Sequence, residues 1–111
     1  KCALTWISTG QLTQAKKIAS NAVAQLLPFA KQGIKVVGLE PSSIAVLRSD
    51  INHLLGTAEA TTVSKSAVTL AEILLSTAGW QAPDLSDQEI VAQPHCHHRK
   101  HQPNHEPTCH A

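Results

Sequence analysis

Apolar residues recur at steps of three and four along most of the chain, and two short runs break that rhythm. From Gln11 to about Gln32, residues Leu12, Ala15, Ala19, Ala22, Val23, Leu26 and Ala30 make one stripe, while Lys16, Lys17, Asn21 and Gln25 fall off it. That spacing predicts a long amphipathic helix. Ser8 with Gln11 three positions later reads as a capping box at its start. Pro28 falls late in the run, where proline kinks or shortens a helix. The segment before it, Lys1 to Gly10, reads as a loop with one apolar patch.

The rhythm changes at Ile34–Leu39, where Val36 and Val37 head a buried strand that Gly33 introduces. Glu40-Pro41-Ser42-Ser43 then turns the strand into a helix, since proline suits the first helical turn. This helix is expected over Pro41–Leu55, with Ile44, Leu47, Ile51, Leu54 and Leu55 on one face and Gly56 as its stop. Gly56 to Thr62 reads as a polar loop. A third helix is expected over Val63–Ala78, with Val63, Ala67, Leu70, Ala71 and Leu74 on one face. Trp80–Asp87 reads as a proline-containing connection, and Glu89–Gln93 as a short second strand closed by Pro94. No internal repeat is visible.

The order helix–strand–helix–helix–strand predicts an α/β fold: a small layered unit with a short parallel sheet. Two strands are few for a sheet covered on both faces, so the unit reads as part of a larger Rossmann-like domain. A strand feeding a helix this tightly is half of a βαβ unit, whose sites lie at the carboxyl ends of the strands. A right-handed crossover would set the two strands parallel. Glu40–Ser43 and Pro94–His97 would then share one edge, with Cys2, in the loop before the first helix, beside them.

Composition divides the chain in two. Residues 1–94 are ordinary globular sequence, and residues 95–111, HCHHRKHQPNHEPTCHA, hold no apolar residue beyond two cysteines and the last alanine. Such a tail cannot bury itself and is expected to order only on ligation. A formal net charge of +1 in 111 residues gives no reason to expect a nucleic-acid or membrane partner. No apolar run nears the roughly 18–20 residues of a membrane span. The chain opens on Lys1 with no charged-then-apolar leader, and reads as a fragment or a processed piece. Three cysteines, Cys2, Cys96 and Cys109, are an odd number, which speaks against a closed disulfide framework and for reduced, metal-binding thiols.

Six of the seven histidines lie between His95 and His110, so the tail is dense in donors for zinc, nickel or copper. His95, Cys96, His97, Cys109 and His110 are the candidate ligands there, with His98, His101 and His105 among them. The rival reading is an adventitious chelator left by truncation or frameshift. Cys2 is either a ligand or a small apolar residue near a helix start. Ser42 and Ser43 read as helix-capping groups, and Glu40 as a cap, a partner for a base or a group that orients a ligand. Gly38 reads as a place of close backbone approach, and His53 as solvent-facing. A nucleophile elbow and a well-spaced carboxylate pair are both missing, so hydrolase chemistry is not expected and no catalytic residue is assigned.

CALTWISTGQL, GIKVVGLEPSSIAVLRSD and VAQPHCHH together resemble the cysteine-rich "CCG" domain of FAD-linked, iron–sulfur dehydrogenases of the D-lactate and glycolate oxidase type. The resemblance covers about Lys1 to His98. It implies an α/β fold and a part in relaying electrons from a flavin through an iron–sulfur cluster. Cys2 and Cys96 would be the cofactor ligands, with Glu40 and His97 supporting them. It departs from the family where Lys1-Cys2-Ala3 stands for Cys-Cys-Gly, where Ser43 takes the place of a cysteine, and where a last Cys-Cys-Gly block is missing. A hydroxyl is a poor ligand for iron beside a thiolate. The expected partners are flavin-containing dehydrogenase domains or a second copy of the chain, in a cytoplasmic setting that reaches the inner face of a membrane through those partners. A small zinc- or nickel-binding module and a protein–protein packing module are the alternatives.

Overall fold

A computed structural model describes residues 2–91 together with 93, 95 and 96. The first stripe forms helix α2 (Leu12–Lys31), which buries Ala15, Ala19 and Val23 and carries Pro28 inside it. A short helix α1 (Leu4–Ser8) precedes it, in place of the expected loop. The expected capping box does not form. Ser8 instead donates its hydroxyl to the Thr5 carbonyl at 3.1 Å, and Gln11 at the start of α2 makes no side-chain cap bond.

Strand β1 (Val36–Gly38) runs into α3 (Pro41–Ala45). A π-helical turn over Val46–Asp50 and then α4 (Ile51–Leu55) continue the same helical run, which Gly56 ends in the left-handed region at φ 62°. In the π turn the Ile51 N–H reaches the Val46 carbonyl, a step of five residues. Ser64 Oγ at 2.6 Å and Asn52 Nδ2 at 3.4 Å both donate to the Arg48 carbonyl within that turn.

The run read as one helix over Val63–Ala78 is in fact three elements. Helix α5 (Ala58–Ser66) starts inside the expected loop, strand β2 (Ala67–Thr69) follows it, and α6 (Leu70–Ser76) completes it. Two local caps explain the breaks. Thr57 Oγ1 accepts from the Ala60 N–H at 3.2 Å and starts α5. Thr69 and Glu72 form a reciprocal capping box that starts α6. Between them Val68 and Thr69 are β-branched and suit a strand.

β1 and β2 pair in parallel, with Val36 beside Ala67, Val37 beside Val68 and Gly38 beside Thr69. The parallel pairing is as expected, but the second strand is Ala67–Thr69 and is followed by a further helix, and the described residues of the expected strand Glu89–Gln93 form no strand. Residues 89–91 are irregular, with Ile90 61% and Val91 93% exposed. Helices α3 and α6 pack on both strands, and α2 packs across α4 and α5. Ala3, Ala19, Val23, Val46, Ile51, Ala60 and Val63 form the core between these helices. Gly38 lets α3 sit close on the sheet: a Cβ there would lie 2.5 Å from the Cβ of Ile44. Among the described residues, no helix is long and apolar enough to cross a membrane.

Candidate functional site

The carboxyl end of β1 is built around Glu40. Its Oε1 accepts from the Ser42 N–H at 2.9 Å and from the Ser42 hydroxyl, and its Oε2 accepts from the Ser43 N–H at 2.7 Å. The carboxylate therefore caps α3, and the serines are donors to it rather than caps themselves. Hydrogen bonds from the Ser42 side chain first, then from the Ser42 backbone and from Ser43, hold its carboxyl at about 2 against an ordinary 4.5.

A cavity of about 260 Å³ opens next to this turn, between α2 and the helical run that begins at Pro41. Cys2 and Ser43 both line it, against apolar walls that include Ile18, Leu26, Val46 and Ile51. Cys2 reaches it from the segment before α1, where its sulfur accepts the Leu4 N–H at 3.4 Å. The expected meeting of Cys2 with the Glu40–Ser43 loop is therefore observed. The third member is not there. Because β2 is Ala67–Thr69, the loop beside Glu40–Ser43 is the start of α6 and not the His95–Cys96 stretch.

At the start of α6, Glu72 is held by Arg48 and by the backbone of Thr69. Arg48 Nη1 donates to both its carboxylate oxygens, at 3.0 and 3.1 Å. The Thr69 N–H donates to Glu72 Oε2 at 2.8 Å. Burial pushes this carboxyl up, but the Thr69 N–H and the Arg48 guanidinium outweigh it and hold it below the ordinary value. Neither residue was singled out from sequence, although Thr69-Leu70-Ala71-Glu72 carries the capping-box spacing that marks the spot.

Cys96 and His95 are exposed and adjacent, with Cys96 Sγ 3.9 Å from His95 Nδ1. Cys96 does not line the Cys2–Ser43 cavity. His97, Cys109 and His110 lie outside the described residues, as do His98, His101 and His105. His53 is exposed near the end of α4, as expected.

An iron–sulfur cluster takes about four soft thiolates. The cavity offers one thiol and one hydroxyl against apolar walls, and among the described residues no three His, Cys, Asp or Glu side chains gather closely enough to hold a metal ion. These residues do not fit a cluster. Comparison with protein families, with characterised proteins and with solved structures finds no match.

Proposed function

We propose that the chain is a degenerate electron-transfer domain of the cysteine-rich type, which packs against the flavin-containing domains of an iron–sulfur 2-hydroxy-acid dehydrogenase. The observation that carries this reading is that Cys2 and Ser43, far apart in sequence, line one cavity beside the β1–α3 turn. The resemblance puts its first two ligand blocks at those two positions. The role is one of shape rather than redox chemistry, because a single thiol replaces the soft ligand set that a cluster takes. The setting is cytoplasmic, at the inner face of a membrane where the flavin partner is bound there.

Metal analysis tests the reading, on full chain purified without oxygen or a metal-affinity step, before and after incubation with ferrous iron and sulfide. The expected result is iron well below stoichiometric and no visible absorption. Stoichiometric iron and sulfide with broad visible absorption would overturn the degenerate reading. A second reading, a zinc or nickel module, has the adjacent His95 and Cys96 in its favour. A colourless protein that holds one equivalent of either ion, and loses it in Cys96→Ser, would move the function to the tail.

A further inference from the structure

Among the described residues the sheet has two strands, and each has one edge that no other strand covers. Such an edge is a row of unpaired N–H and C=O groups, ready to template another strand. The apolar residues that bound β1 are themselves uncovered: Ile34 is 48% and Leu39 81% exposed. The same chain carries a strand-forming segment that pairs with no strand among the described residues. Ile90 and Val91 are β-branched, lie outside any strand and are 61% and 93% exposed.

Charge indicates how the two fit. Residues 11–35 hold Lys16, Lys17, Lys31 and Lys35 and no acid, while residues 77–93 hold Asp84, Asp87 and Glu89 and no base. All seven of these side chains are exposed. Lys35 stands just before Val36-Val37, and Glu89 just before Ile90-Val91. A parallel pairing would set opposite charges beside each other and β-branched residues beside β-branched residues, both favourable across strands.

We propose that Glu89–Val91 of one copy adds as a parallel third strand along the free edge of β1 in a second copy, and reciprocally, with Lys35 beside Glu89. Reciprocal exchange makes the contact closed and two-fold, so it ends at a dimer. The backbone ladder supplies the affinity and the charge pair sets the register, as in other strand additions. This dimer does not rest on the dehydrogenase reading, and its test is independent of iron content.

The test is sedimentation of the full chain over a range of concentrations, with reductant and chelator present so that thiols and histidines cannot link copies. A reversible dimer is expected. Val91→Pro removes a ladder N–H at an exposed position and should give a monomer with an unchanged circular dichroism spectrum. Lys35→Glu and Glu89→Lys should each weaken the dimer several-fold, and the double reversal should restore it. A monomer at every concentration, a dimer indifferent to Val91→Pro, or a double reversal no tighter than either single change would each overturn the proposal.

Discussion

Glu40 shows how much one side chain settles at the β1–α3 junction. It occupies the N-cap and satisfies the Ser42 and Ser43 N–H groups at the start of α3. Its capping role was legible, because an acid followed by Pro-Ser-Ser marks a helix start; that Ser42 and Ser43 donate to it instead of capping was not, since serine is the commoner cap. Its folded carboxyl sits at about 2 and its ordinary value is 4.5. A depressed acid stabilises the fold above its unfolded value and loses that contribution as pH falls toward its folded one. Glu40→Gln should therefore lower stability at neutral pH and flatten the loss between about pH 4.5 and 2. Urea unfolding at several pH values reads this difference. Gly38 makes the neighbouring constraint. Gly38→Ala would place a methyl 2.5 Å from Ile44 Cβ, an overpacking that costs about 1–3 kcal/mol. Because the Cβ of Ile44 makes that contact, shortening Ile44 to Ala should not rescue the variant in thermal unfolding.

At the scale of elements, α2 and strand β1 were readable and strand β2 was not. The stripe of α2 persists for 20 residues, enough turns to average out any one misfit. β2 spans 3 residues inside a run whose Val63, Ala67, Leu70, Ala71 and Leu74 keep helical spacing throughout. Periodicity cannot see a break that preserves phase; the capping signals at Thr57 and Thr69 can. The reverse error at Glu89–Val91 has the same root. Its pattern is that of a strand, but a strand exists only where another backbone accepts its hydrogen bonds. Glu72 joins two elements at once, through Arg48 in the π turn and the Thr69 N–H of its own helix. Glu72→Ala loses a cap and an ion pair about one-third exposed on each side, together about 1–2 kcal/mol, most of it from the cap. Thr69→Ala should cost about 1 kcal/mol. The double variant should cost less than the sum, because both remove the same box; chemical denaturation of the three proteins reads the coupling.

Over the whole molecule, the meeting of Cys2 with the β1–α3 turn was legible and the position of Cys96 was not. Cys2 and Ser43 meet because α1 folds back onto α2 while the β1–α3 turn presents Ser43 to the same cavity. Cys96 was placed with them on the strength of a strand that forms elsewhere in the chain. The core shows what association would contribute. Its largest fully buried side chains are Ile51 and Val63, and much of the rest is alanine, which buries little apolar area for each residue ordered. Meanwhile Leu39, Leu75 and Val91 are 76% exposed or more. A fold this thinly filled gains much from any partner that binds the folded state alone, because such binding stabilises by mass action. If a second copy is that partner, the melting temperature should rise steadily with protein concentration. Val91→Pro should melt at one temperature whatever the concentration, equal to that of the unaltered chain at high dilution. Scanning calorimetry across a hundredfold concentration range makes the comparison. A concentration-independent melt of the unaltered chain would mean that the thin core stands alone and the free edge of β1 has no self-partner.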